Sequence, residues 1–470
     1  MEFEPVIGLE IHVEMKTNSK MFSSAPVTYG KDPNTQTSIY DLAFPGVMPT
    51  VNKQAVINAI RVCHALHMSI DDTLMFERKN YFYSDLSKGY QITQQFRPIG
   101  RDGFIQLNNK KIGIERAHLE EDACKQLHTD SQTLLDYNRS GIPLIEIVTK
   151  PELRNGTDAA RFVEEIRSIV SFLGVSDGKI ERGSLRCDVN VSVKQKGASI
   201  NGVRTEIKNV SGFANIEKAI DYEIERQIKT IRDGGVVKPE TRRYSEKRKA
   251  TVLMRAKTDP VDYKYFTDTH IPPIKLSKEF IDNAIATSPE LASSKRERFL
   301  KLGLDLQAAT LITEDAAVCR YFEETIKFGA NPTLAFNWIC MRIPFYLKRD
   351  NITIDEFKVT PKLLAELLKL IEDSVISDIQ AREIFTKMLE KTISPTILVE
   401  ESDIRLISDE NLLRQFVLEV FDENPKSIVD FKNGNQRALE FIVGQVMKKT
   451  NGKANPSITS AIVSEEIKRR

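Results

Sequence analysis

Residues 8–15 read Gly-Leu-Glu-Ile-His-Val-Glu-Met, an unbroken alternation. In an extended strand it places Glu10, His12 and Glu14 on one face and Leu9, Ile11, Val13 and Met15 on the other. Carboxylate-bearing strands recur at 187–193, with Asp188, and at 204–210, with Glu206, and an acidic run spans His118, Leu119, Glu120, Glu121 and Asp122. Brought together, these segments would floor one site. An oxygen-rich donor set of this kind suits a hard divalent cation such as Mg2+ and the phosphates it carries. Two imidazoles, His12 and His118, would also suit zinc. The excess of carboxylates and the absence of neighbouring cysteines favour the harder ion, so no zinc is expected. The plainer reading of any one such strand is the solvated side of a half-buried sheet.

Neither GxxxxGK[ST] nor GxGxxG occurs in the chain, so a nucleotide would bind outside those two designs. The segment Arg78-Lys79-Asn80-Tyr81-Phe82-Tyr83 interleaves cations with aromatics, a pattern suited to a polar tunnel, a stacked base or a phosphate contact. Thr241 to Lys249 carries five cations in nine residues, which fits either an RNA backbone or a solvated loop.

These residues need a scaffold. To about residue 290 the text is strand-like and turn-rich, interrupted by helices expected at 55–66 and 158–173, the second capped by Thr157. The loop Lys196 to Gly202 joins two alternating segments, and antiparallel pairing there would aim Asp188 and Glu206 at one ligand. Beyond about 290 the period becomes helical, as in Leu363, Leu364, Leu367, Leu368 and Ile371. A further boundary is expected near 405, where Ser408 would cap a helix carrying Leu412, Phe416, Val417 and Val420. The last helices carry a local basic concentration that includes Lys448, Lys449 and Lys453.

Lys plus Arg (67) nearly balances Asp plus Glu (66), so no overall positive field points to nucleic acid, and RNA contact must come from a local patch. Five dispersed cysteines fit neither a disulfide framework nor a zinc knuckle and suggest a reducing cytoplasm. The chain opens on a strand pattern rather than a leader, and has no apolar run long enough to span a bilayer, so membrane association is not expected.

Read in order, the segments Gly8–Glu14, Pro45–Pro49, Arg78–Tyr83, His118–Ala123, Asn138–Glu146, Gly183–Asp188, Thr205–Asn209, Glu240–Arg243, Asp262–Phe266 and Gly452–Pro456 resemble, end to end, the B subunits of the aspartyl/glutamyl-tRNA amidotransferases. The resemblance implies an α+β fold: an antiparallel-sheet cradle over 1–292, an all-α helical domain over 293–405 and a small all-α tail domain over 406–470. It implies ATP-dependent phosphorylation of the side-chain carboxylate of Glu on Glu-tRNA(Gln) or Asp on Asp-tRNA(Asn), then displacement of phosphate by ammonia. The partners it implies are a glutaminase A subunit, a small C subunit and the misacylated tRNA. By similarity, Mg2+ falls to Glu10, His12, Glu120, Glu121, Asp188 and Glu206. Glu10, Glu121, Lys79 and Tyr81 receive catalytic roles, Lys79, Tyr81 and Lys88 ammonia-tunnel or phosphate contacts, and Lys448, Lys449 and Lys453 tRNA contacts. Two alternatives stand beside this: a metal-dependent phosphoesterase or nuclease using the same carboxylates, and a non-catalytic tRNA-binding scaffold.

Overall fold

The structure, a computed structural model, describes residues 2–107, 109–208, 210–256, 262–402, 406–407, 409–432, 437–450 and 452–469. The chain separates into two compact units, Met1–Ala292 and Ser293–Arg470. The first mixes sheet and helix and the second is helical, an α+β organisation.

Among the described residues of the first unit, nine strands form one sheet. In chain order they are β1 (Phe3–Glu14), β2 (Ser69–Ile70), β3 (Gly100–Leu107), β4 (Lys110–Glu121), β5 (Pro143–Thr149), β6 (Leu185–Gln195), β7 (Thr205–Lys208), β8 (Glu240–Ser245) and β9 (Ala250–Ala256). Their spatial order is β9-β8-β7-β6-β1-β5-β4-β3-β2. Every pairing is antiparallel except β7 with β8.

The alternation of the sequence decides the two faces. Ile7, Leu9, Ile11 and Val13 of β1 are buried with Ala117 and Leu119 of β4, Ile145 and Ile147 of β5, and Val189 and Val191 of β6. This core also takes in the apolar sides of three helices, α1 (Lys53–Ala65), α2 (Gly156–Phe172) and α3 (Phe213–Arg232). Each fully buried Ile or Leu is worth roughly 1.5–3 kcal/mol, so slipping β1 by one residue would drive Glu10 and His12 into the core at the cost of several such terms. The register is thereby fixed. It sets Glu10 opposite Asp188 and His12 opposite both Glu146 and Arg186. It also sets Glu146 opposite His118, and Asn190 opposite Glu206.

The cap of α2 is Asn155, whose Oδ1 accepts from Asp158 N at 2.7 Å. Thr157, expected there, lies inside the first turn and donates its hydroxyl to Glu217 of α3. The shift follows from packing: Gly156 meets α3 so closely that an added Cβ would lie 2.5 Å from the Glu217 carbonyl oxygen. The helix therefore begins where a glycine permits the crossing.

In the second unit, Thr360 caps a helix over Pro361–Glu372 that buries Leu364, Leu367 and Leu368 along the expected stripe. Towards the C-terminus, Glu410–Glu423, Arg437–Lys449 and Pro456–Arg469 close around Leu413, Val417, Phe421, Ile442, Val446 and Val463. Ser408, expected to cap the first of these, lies outside the described residues, and the cap there is Asp409. Leu412, assigned to that helix's apolar face, is instead exposed, because the stripe runs through 413, 417, 420 and 421.

Candidate active site

The polar face of the sheet carries two clusters side by side. In the first, ligand atoms of His12, Glu120 and Glu146 all lie within 4.8 Å of one another. His12 Nε2 stands 3.3 Å from Glu146 Oε2 and 3.7 Å from Glu120 Oε1, while His118 Nε2 stands 3.2 Å from the same Glu146 oxygen. In the second, ligand atoms of Glu10, Asp188 and Glu206 meet the same 4.8 Å limit. Two neighbours brace this set: Asn190 Nδ2 donates to Glu10 Oε1 at 2.8 Å, and the Thr241 hydroxyl donates to Glu206 Oε2 at 3.1 Å. Lys208 Nζ sits between Asp188 Oδ2 (2.7 Å) and Glu206 Oε1 (3.2 Å).

The electrostatics follow from burial and proximity. Burial opposes the charge of His12, but the hydrogen bond and charge of Glu146, with Glu120 behind it, outweigh that and lift its pKa to about 9. Burial raises Glu120, and repulsion from Glu146 adds to it. Burial pushes Glu146 the same way, yet His118 and His12 hold it well below the usual carboxylate range. His12 and Glu146 thus each favour the charged form of the other. For Lys208, burial again opposes the charge, and Asp188 and then Glu206 more than restore it, raising the group above an ordinary lysine.

Lys79 joins the first cluster from the side. It lies on the short strand Glu77–Asn80, paired with Tyr90–Thr93. Its Nζ is 4.9 Å from the Tyr263 ring centre and 5.8 Å from that of Tyr81. Burial works against its charge, but Glu120 above all keeps it raised. Burial also raises the Tyr81 phenol, with Asp85 and Glu120 adding to it.

Glu121 stands apart from both clusters. Neighbours in a strand point to opposite faces, so with Glu120 on the polar face Glu121 turns away. It accepts from Lys88 Nζ at 2.8 Å and from Ile92 N at 3.1 Å. The cations of the 241–249 run divide as well: Arg242 is tied to Glu240 at 2.7 Å and Glu223 at 3.6 Å, and is part of the scaffold. A third buried set, Glu14 with Asp122, is flanked by Arg139 and Arg186 and receives the Tyr29 hydroxyl at 2.9 Å.

Sequence reasoning left Glu146 and Lys208 without roles. Glu146 had a signal, a lone carboxylate between Ile145 and Ile147 in an otherwise apolar strand. Lys208 follows Glu206 by two residues, so the same period two puts it on the same face.

Residues 5–282 match the protein family described as the GatB/GatE catalytic domain, and residues 320–467 the family described as the GatB domain. The chain belongs to the GatB family. It is 44% identical over 476 residues to the B subunit of the aspartyl/glutamyl-tRNA(Asn/Gln) amidotransferase from Geobacillus thermodenitrificans, with 100% of each chain covered. The protein of the same name from Bacillus cytotoxicus is 43% identical, also over 100% of each chain. The GatB/GatE catalytic-domain match contains every residue of both carboxylate clusters. The GatB-domain match contains Lys448, Lys449 and Lys453. Of these, Lys449 is ion-paired to Glu419 and Glu423 at 2.7 and 2.8 Å. Among the described residues, no helix is long and apolar enough to cross a membrane.

Proposed function

We propose that this chain is the kinase and transamidase subunit of an aminoacyl-tRNA amidotransferase. It acts in the cytoplasm with a glutaminase A subunit and a small C subunit. One arrangement carries the reading: two adjacent carboxylate clusters on one sheet face of a chain that matches amidotransferase B subunits over its whole length.

The reaction has two steps. A side-chain carboxylate oxygen of Glu on Glu-tRNA(Gln), or Asp on Asp-tRNA(Asn), attacks the γ-phosphorus of ATP, and ADP leaves. Ammonia nitrogen then attacks the acyl carbon, the carbon–oxygen bond to phosphate breaks, and the nitrogen loses a proton. Activation is needed because a free carboxylate is a poor electrophile.

The residues fit Mg2+. The Glu10, Asp188 and Glu206 set offers oxygen alone, and His12, Glu120 and Glu146 add one imidazole, both within the compass of a single small ion. When bound, the ion would offset triphosphate charge. Glu10 orients the reacting groups from the floor. Lys79, with Tyr81 beside it, pairs with the phosphate being transferred. Lys88, its side chain buried and ion-paired with Glu121 at 2.8 Å, would line the route of ammonia to the acyl phosphate, and Glu121 would hold that lysine rather than a metal. Helices over 293–405 support the tail at 406–470, where Lys448, Lys449 and Lys453 present positive charge to tRNA.

The test is Gln-tRNA formation from Glu-tRNA(Gln) by this chain co-purified with its A and C subunits. ATP and Mg2+ are each present or omitted, and ammonium chloride replaces glutamine in one arm. Ammonium-supported product requiring both ATP and Mg2+ is expected. Product absent from every arm, with tRNA bound and Asp-tRNA(Asn) equally inert, would overturn the proposal. Asp188→Asn and Glu206→Gln are expected to cut product by about 100-fold or more while tRNA binding is nearly kept. Full activity in both variants would leave only the scaffold reading.

A further inference from the structure

In the Glu10, Asp188 and Glu206 cluster, the space between two carboxylates is occupied by the protein's own cation. Lys208 Nζ contacts Asp188 Oδ2 at 2.7 Å and Glu206 Oε1 at 3.2 Å. Those residues supply two of the three ligand groups of the cluster. A small divalent ion takes its oxygens at about 2.0–2.1 Å and tolerates no competing ammonium on the same edge. Ion and ammonium therefore exclude each other there.

The surroundings let the lysine move and hold two of the three carboxylates in place. Glu10 is fixed by Asn190 at 2.8 Å, and Glu206 by Thr241 at 3.1 Å. Glu10 and Glu206 thus each have a hydrogen bond that does not involve the lysine, whereas the side-chain contact of Asp188 is the lysine itself. The Lys208 side chain is 35% exposed, and its long stem gives the ammonium somewhere to go without opening the core.

We propose that Lys208 is an exchangeable counter-ion: it fills the carboxylate site until a divalent cation arrives with a nucleotide, and then pairs with the phosphate oxygens. This inference rests on the phosphoryl-transfer reading above. A bare cation must expel the ammonium into water, whereas a cation that brings a triphosphate offers the expelled ammonium an anionic partner. Cation and nucleotide binding are then coupled through one side chain.

The experiment uses the full chain in its complex with the A and C subunits. Mn2+ binding is followed by electron paramagnetic resonance at fixed free Mn2+, with and without β,γ-imido-ATP. Asp188→Asn identifies the share of signal that belongs to this site. For the unmodified protein, the nucleotide should tighten Mn2+ at this site by about tenfold or more. Lys208→Met should bind bare Mn2+ about tenfold more tightly than the unmodified protein and gain less than about threefold from the nucleotide. Lys208→Gln, a second neutral variant, should behave alike, and Lys208→Arg should bind bare Mn2+ no better than the unmodified protein. Neutral variants that melt normally yet bind bare Mn2+ no more tightly would overturn the exchange while leaving the phosphoryl-transfer reading standing. An unmodified protein with no Asp188-dependent Mn2+ signal, even with nucleotide, would overturn both.

Discussion

His12 on β1 and Glu146 on β5 face each other across the antiparallel register, with Nε2 3.3 Å from Oε2. The same glutamate oxygen lies 3.2 Å from His118, so one carboxylate holds two imidazoles in place. Glu146 is the hinge of the first cluster, although the sequence drew attention to His12 and Glu120 instead. Glu146→Gln should leave the fold intact, because the side chain keeps its volume. The His12 pKa should fall from about 9 towards its ordinary 6.5, read from the imidazole proton shifts by NMR. Product formation should drop by about 100-fold or more. An unmoved His12 titration would show that Glu120, rather than Glu146, holds its charge against burial.

Glu14 should leave a pH signature on stability. Burial raises its pKa from 4.5 to about 7, and Asp122 adds repulsion and a shared hydrogen bond, while Arg139 and Tyr29 pull the other way. A carboxyl raised in the folded state contributes stability that is fully present below the unfolded value and lost as pH rises through the folded one. Stability should therefore decline between about pH 4.5 and 7, by at most on the order of 3 kcal/mol. Glu14→Gln should flatten that decline, so that melting temperatures at pH 5 and pH 8 lie closer together than in the unmodified protein. An equal decline in the variant would assign the pH dependence to other groups.

A buried charge network at the far edge of the sheet sets the position of the second cluster. Glu223 of α3 is wholly buried, holds Arg226 at 2.6 Å and Arg242 at 3.6 Å, and accepts from the Thr251 hydroxyl at 2.8 Å. It thus ties α3 to β8 and β9, and β8 carries the Thr241 that holds Glu206. Removing one partner from a buried pair typically costs about 3–5 kcal/mol, because it strands the remaining charge. Glu223→Ala should accordingly lower the urea midpoint by a large fraction of total stability. Glu223→Gln, which keeps hydrogen-bonding capacity for Thr251, should lose less. Near-equal midpoints for all three proteins would mean that water replaces the carboxylate.

The sheet was legible because its signal is local. Period two in residues 8–15 marks β1 and its faces, and the same period marks Asp188 and Glu206. Convergence was not legible, since strand order β7-β6-β1-β5-β4 joins segments more than 100 residues apart. That is why the division of the carboxylates into two adjacent clusters was not legible. Glu121 was grouped with Glu120 although the same local period two separates neighbours onto opposite faces. Asn155 is the better capping residue by type than Thr157, and the approach of α3 at Gly156 places the helix start beside it.

Lys448 and Lys449 are adjacent in sequence and should differ in effect on tRNA. Lys449 Nζ is 2.7 Å from Glu419 and 2.8 Å from Glu423, so it braces two helices of the C-terminal core. Lys448 is exposed on the same helix end. A lysine that neutralises a phosphate contributes about one unit to the slope of log affinity against log salt. Lys448→Ala should therefore weaken tRNA binding and reduce that slope by about one unit, similarly for all cognate tRNAs. Lys449→Ala should change the slope less and instead lower thermal stability slightly, since exposed ion pairs contribute little to stability. Fluorescence anisotropy over a salt series distinguishes the two. Equal slopes for Lys448→Ala and the unmodified complex would remove this helix end from the tRNA contact.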